Sequence, residues 1–197
     1  MSTPLLIVVS APSGGGKSTL CDRLLSEFPD IVYSVSCTTR NPRGEEVDGE
    51  DYFFLPDETF VRKIEAGDFL ENAMVHGKRY GTLKATIEDA FAERQSVILD
   101  IDVAGAAQVR AKVAALTQDD PLKKGFVDIF IKAPSIAELR RRLVKRNEDS
   151  AEQIELRLKN AENEEKSAHL YQHVIVNDDL DRAYGELKSI ILHHGEC

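Results

Sequence analysis

Eight consecutive residues, Ala11-Pro-Ser-Gly-Gly-Gly-Lys-Ser18, have the types and the order needed to hold a chain of phosphates. The run matches the P-loop pattern except at Ala11, which stands where the first glycine is usual. Gly14, Gly15 and Gly16 let backbone N–H groups curl around an anion, and a helix starting at Lys17 would present its positive end to the same charge. Ala11, Pro12, Ser13, the three glycines, Lys17, Ser18 and Thr19 therefore form the expected nucleotide-binding loop, a feature that GTPases, motors and kinases share. Lys17 would reach the β- and γ-phosphates, and the Ser18 hydroxyl would sit on Mg²⁺ bridging them. Asp100 ends the apolar run Ser96-Val-Ile-Leu-Asp100. Its pattern fits equally a carboxylate facing metal-bound water and an ordinary acid at a strand end.

A phosphate loop functions only if a strand and a helix hold its two ends. Leu5 to Val9 is a wholly apolar run and reads as a buried parallel strand, while Leu20, Leu24 and Leu25 give Lys17 to Phe28 a helical period that Pro29 ends. Further strands are expected over Ser96–Ile101, Val127–Ile131 and Val174–Val176, with helices over Val103–Leu116, Ser135–Lys145 and Leu180–Leu192. That alternation predicts an α/β fold, a P-loop NTP hydrolase-like parallel sheet core with helices on both faces. The core comprises 1–32, 95–137 and 170–197. Residues 33–94 break the rhythm with short β-like pieces, Val32–Ser36, Tyr52–Leu55 and Leu70–Val75, and read as an inserted subdomain. Residues 138–169 are charged and helical, with Ser150 as an N-cap after a break at Asn147-Glu-Asp, which suits a hinged helical lid. Thr117–Gly125 is expected to be an exposed loop.

With 197 residues, 42% of them hydrophobic and 30% charged, the chain can close one core without cross-links. Cys21, Cys37 and Cys197 are too few and too scattered for a disulfide framework or a zinc cluster and are expected as reduced thiols. No apolar run is long enough to cross a bilayer and the N-terminus does not resemble a signal peptide, so a cytoplasmic location is expected. A net charge of −9 argues against broad binding to nucleic acid or anionic membrane. Anionic ligands must then be held by local basic clusters. Arg40 and Arg43 lie in a stretch from Ile31 to Gly44 without a competing acid, and Arg140, Arg141, Arg142, Lys145 and Arg146 follow a single Glu138.

The segment Ser34-Val-Ser-Cys-Thr-Thr-Arg40-Asn-Pro-Arg43-Gly-Glu-Glu-Val-Asp-Gly-Glu-Asp-Tyr52 resembles the signature of guanylate kinases. The resemblance continues through Phe69-Leu-Glu71, Tyr80-Gly-Thr82, Ile98-Leu-Asp-Ile-Asp102 and Val174-Ile-Val-Asn-Asp-Asp-Leu180, and covers nearly the whole chain. It implies transfer of the γ-phosphoryl group of ATP to GMP, with dGMP as a further acceptor, and it makes the insertion a GMP-binding subdomain. By matching positions, Arg40, Arg43, Tyr52 and Tyr80 resemble the residues that hold the GMP phosphate. Ser36, Glu71, Thr82 and Asp102 resemble the guanine contacts, where carboxylates would face the N1–H and 2-amino donors and hydroxyls would lie near O6. Arg142, Arg146 and Arg157 match lid arginines that would come over the ATP phosphates on closure. Asp100 takes a metal role through water. Asn177 fits an adenine contact and a strand-end turn equally well. Many relatives have a glycine-threonine pair where this chain has Asn147-Glu148, and the 117–125 loop is longer than usual.

The chemistry so implied is direct in-line transfer. The acceptor is already an anion, so no general base is required, and positioning with charge stabilisation by Lys17, Mg²⁺ and the arginines would suffice. ATP and GMP are the expected partners. An interaction module that keeps the fold but not the ATP apparatus, and a kinase for a phosphorylated sugar, are the other readings. Retention of Lys17, Ser18 and the lid arginines disfavours the first, and retention of Glu71 and Asp102 disfavours the second.

Overall fold

The structure is a computed structural model that describes residues 3–75, 77–146 and 149–195. In chain order its elements are β1 (Leu6–Ser10), α1 (Lys17–Glu27), β2 (Ile31–Tyr33), β3 (Cys37–Thr38), β4 (Phe53–Phe54), α2 (Asp57–Ala66), β5 (Phe69–Val75), β6 (Lys78–Leu83) and α3 (Lys84–Ala92). There follow β7 (Ser96–Asp100), α4 (Val103–Ala115), α5 (Pro121–Lys124), β8 (Phe126–Lys132), α6 (Ile136–Arg146), α7 (Ala151–Glu165), β9 (His173–Val176) and α8 (Leu180–Gly195).

Five strands form the expected all-parallel sheet in the order β2-β7-β1-β8-β9. Every residue of β1 is buried because strand side chains alternate between two covered faces. Leu5, Ile7 and Val9 pack with Leu20, Cys21 and Leu24 of α1 and with Ala183, Leu187 and Ile191 of α8. Leu6 and Val8 point the other way, toward Ile87 of α3 and Ala106 and Val109 of α4. Crossovers with helices on both faces leave the carboxyl ends of the strands open along one edge, where ligands bind in sheets of this kind.

A second sheet, ordered β4-β3-β6-β5, is mostly antiparallel and has its own small core of Cys37, Phe60 and Phe69, the two rings stacked at 4.4 Å. Helix α4 anchors it to the core. Gln108 exchanges two hydrogen bonds with the Asn72 backbone, and Lys112 Nζ donates to the Phe69 carbonyl at 2.8 Å. Helices α6 and α7 pack through Leu139, Leu143, Ile154, Leu158 and Ala161 as a third cluster. Ser150 caps α7 in a reciprocal capping box with Gln153, as its position predicts.

The segment 33–94 departs from expectation in content. The strand expected over Val32–Ser36 is Ile31–Tyr33 and belongs to the main sheet. Helices α2 and α3 and strand β6 lie where only short β-like pieces are expected. Pro56 before Asp57 and Glu58, and Gly67 at φ 74, are the start and stop signals of α2. Strand β6 is obscured by its polar composition and by Gly81, where a Cβ would lie 2.9 Å from the Glu71 carbonyl and from the Phe69 ring. The 117–125 loop includes the turn of α5, capped by Asp120. Cys21 and Cys37 are buried free thiols, while Cys197 lies outside the described residues.

Candidate active site

The phosphate loop runs from the end of β1 to the first turn of α1, as its spacing predicts. Gly14 and Gly16 take φ 87 and 92, a region where a side chain would be strained, and a Cβ on Gly16 would collide with the Asn177 amide. Gly15 N–H closes a turn on the Pro12 carbonyl at 2.8 Å. Ala11 packs its methyl against the core, so the substitution for glycine fills space rather than opening the loop. Lys17 Nζ pairs with the Asp100 carboxylate across the mouth of the main sheet. Ser18 and Thr19 are exposed on the first turn of α1, which carries no acidic side chain to oppose an anion.

Two distant residues complete this loop. Asn177, 5% exposed at the end of β9, donates from Nδ2 to the Gly15 carbonyl at 2.9 Å and offers its own carbonyl to Arg142 Nη2 at 2.7 Å. Its side chain is thus a strut beneath the loop, while Asn177 also lines the neighbouring cleft. Arg157 Nη1 donates to Ser13 Oγ at 2.8 Å, and its Nη2 pairs with Asp149 at 3.0 Å. Gly14, Gly16, Thr19, Arg141, Arg142 and Asn177 line a cleft of about 630 Å³ between the loop and α6.

The basic cluster on α6 is less free than its sequence suggests. Glu138 binds Arg141 through two bonds and Arg142 through one, which holds its carboxyl down to about 2, and Glu155 pairs with Arg140. The Arg146 side chain lies outside the described residues, as do Asn147 and Glu148, on which the expected hinge falls. Sequence reasoning missed Glu164 on α7. Burial first, and then neighbouring Asp102, push its carboxyl up, while Lys17 pulls it down. Its position seven residues after Arg157, two turns along the same helix face, is the signal that could have found it.

On the opposite side of Asp100 a smaller cavity of about 180 Å³ is lined by Ser36, Tyr52, Glu71, Tyr80, Asp100 and Asp102. Strand β5 brings Glu71 and β6 brings Tyr80 and Thr82, while Asp102 follows β7. Glu71 is 4% exposed and accepts from Thr82 Oγ1 at 2.7 Å. Burial and then the charge of Asp102 raise its pKa, while Thr82 lowers it. Asp102 Oδ1 accepts from Gly105 N–H at 2.7 Å and caps α4, so it serves the fold as well as the cavity. A Cβ on Gly105 would approach Glu71 Oε2 to 2.9 Å, so the absence of a side chain there leaves room for two carboxylates to converge.

Arg40, expected in a stretch without acids, is 8% exposed and bound end-on by Glu46, with Nη1 to Oε2 at 2.5 Å and Nη2 to Oε1 at 2.7 Å. Glu46 lies two residues beyond the acid-free stretch and folds back over it, so that expectation is corrected by the turn through Gly44 at φ 56. The Tyr52 ring supports the guanidinium at 4.7 Å, and Tyr52 and Tyr80 meet edge to face at 6.0 Å. Arg43 donates its backbone N–H to Glu46 at 2.7 Å and leaves its side chain exposed. Among the predicted residues, Ser36, Tyr52, Glu71, Tyr80, Asp100 and Asp102 thus border one cavity, and Lys17 is tied to it through Asp100.

A family model described as guanylate kinase matches residues 3–194. A guanylate kinase of Nitratidesulfovibrio vulgaris is 49% identical over 186 residues, covering 94% of this chain and 84% of the relative. One from Syntrophotalea carbinolica is 47% identical over 191 residues, covering 97% and 86%. Among solved structures, the crystal structure of guanylate kinase from Anaplasma phagocytophilum superposes with a TM-score of 0.75 at 32% identity, covering 99% of this chain and 88% of the other.

Proposed function

The chain belongs to the guanylate kinase family, and from that premise we propose how its own residues carry the γ-phosphoryl group of ATP to GMP. The observation that carries the assignment is the place of Asp100, which pairs with the phosphate-loop lysine and also lines the acceptor cavity. Donor and acceptor sites therefore meet at one strand end, as in-line transfer demands.

On the donor side the loop 11–16 and the N-terminus of α1 bind the phosphates, and Lys17 leaves Asp100 to follow the charge of the moving group. Arg157 reaches the loop from α7 at Ser13, Arg142 of α6 binds the Asn177 carbonyl beside it, and together with Arg146 they form the lid that adds positive charge and excludes water on closure. The donor set also fits Mg²⁺. Ser18 and Asp100 supply hard oxygens, a partial shell of the kind that nucleotide oxygens and water complete, and the ion would neutralise charge between the β- and γ-phosphates.

On the acceptor side, the second sheet with α2 holds GMP. Glu71 and Asp102 accept from the guanine N1–H and 2-amino groups, Ser36 faces O6, Thr82 holds Glu71 toward the base, and Arg40, Arg43, Tyr52 and Tyr80 hold the phosphate. A buried carboxylate left without its donors makes adenine costly, because its edge has no 2-amino group and an amino donor in place of O6. The test is ADP production from ATP and Mg²⁺ with GMP, AMP and a sugar phosphate offered separately. GMP is expected to be preferred by at least about a hundredfold in kcat/KM; a preference for AMP would overturn the reading.

A further inference from the structure

The geometry points to Glu46 as a positioning residue for the acceptor phosphate: it grips Arg40 end-on so that the remaining edge of the guanidinium faces the incoming oxyanion. This rests on the reading of Arg40 as a phosphate ligand. A guanidinium has two edges suited to paired hydrogen bonds with an oxyanion. Glu46 takes the end formed by Nη1 and Nη2, and the Asn41 carbonyl takes a further Nη1 hydrogen at 3.0 Å. These bonds account for both Nη1 hydrogens and one on Nη2. The side edge, Nε–H with the outer Nη2 hydrogen, is the portion they leave over, and the Tyr80 hydroxyl lies against the same guanidinium.

Everything around Glu46 holds this arrangement. Its Oε2 also accepts the Arg43 N–H at 2.7 Å, so the loop 40–46 is closed into a ring by a single carboxylate. The rings of Tyr52 and Phe54, at 4.7 and 5.6 Å from the guanidinium carbon, support its faces and restrict rotation. The Arg40 bonds, and then the Arg43 N–H, keep the Glu46 carboxyl down at about 2, so it is ionised at neutral pH. An anion beside an anion-binding site has two possible effects. As a competitor it would weaken GMP binding, and as an orienting clamp it would strengthen it, and the sign of one substitution separates the two.

The experiment is calorimetric titration of the full-length protein with GMP and, separately, with guanosine. Variants are Glu46→Gln, Arg40→Ala and the double substitution. Glu46→Gln keeps the shape but turns a donor against Arg40, and it is expected to weaken GMP binding about tenfold. Guanosine binding should stay within about twofold of the parent, a pattern that general damage to the fold would not produce. In the Arg40→Ala background, Glu46→Gln should add little, because the clamp has nothing left to hold. Unchanged or tighter GMP binding by Glu46→Gln, alongside a loss in Arg40→Ala, overturns the clamp alone. Unchanged binding in Arg40→Ala overturns the phosphate reading and the clamp together, and equal losses for GMP and guanosine show a structural role and overturn the clamp.

Discussion

The two halves of the active site are built on different principles. The donor half is built around backbone: one unbroken run, 11–18, curls between a strand and a helix, with N–H groups whose direction follows from φ, and side chains such as Lys17 are added to it. The acceptor half is almost entirely side chain, assembled from β5, β6, the 40–52 loops and the start of α4. A backbone site recognises charge and little else, since every nucleoside triphosphate has the same phosphates. A side-chain site reads a particular edge, but each reader must be held by neighbours, which is why Thr82 grips Glu71, Gly105 grips Asp102 and Glu46 grips Arg40.

Substitutions should separate these two designs, and the largest effect belongs to the donor half. Lys17→Met should lower kcat by about a thousandfold or more with little change in GMP affinity, because its charge is needed as the γ-phosphoryl group moves. Steady-state rates with GMP titration check it. Glu71→Gln comes next, with kcat/KM for GMP reduced about a hundredfold while KM for ATP stays near the parent value.

The same residue links recognition to pH. Its folded-state pKa is raised by burial, so ionising Glu71 costs the fold stability as pH rises from the ordinary glutamate range through the raised value. Glu71→Gln should therefore have an unchanged or higher thermal midpoint at neutral pH, measured by calorimetry. Below that window the protonated acid cannot accept from both guanine donors, so guanosine affinity should fall with pH in the parent and stay flat in the variant. Guanosine is the right ligand because it has no phosphate of its own to titrate.

Smaller effects test how far each half depends on distant support. Asn177→Ala removes the strut under Gly15 and should raise KM for ATP about tenfold while leaving guanosine affinity unchanged. Ser150→Ala unpicks the capping box of α7 and should cost about 1 kcal/mol, a fall of a few degrees in the thermal midpoint, with nucleotide affinities nearly unchanged.

The contrast also explains what could be read from the amino-acid order. The donor loop was legible because its information is local: eight adjacent residues, an apolar strand before and a helical period after. The parallel core was legible for the same reason, since β1, β7, β8 and α4 each announce their period. The acceptor half was legible only through resemblance, because nothing in the spacing of Ser36, Glu71, Tyr80 and Asp102 says that they converge. Helix α3 and strand β6 escaped for lack of a clean apolar period. The 40–46 clamp escaped because a turn, not a regular element, brings Glu46 back onto Arg40. In sequence Asn177 fits a base contact and a turn alike, and only the packing of β9 beside the loop shows it beneath Gly15.

That strut has a consequence for the order in which a growing chain becomes competent. The glycine loop is made well before its prop, because the amide that supports it leaves the ribosome 161 residues after Gly16, just past β9. A nascent chain that stops before Asn177 has the loop's residues but not their support, so a product cut short there has an unpropped donor site.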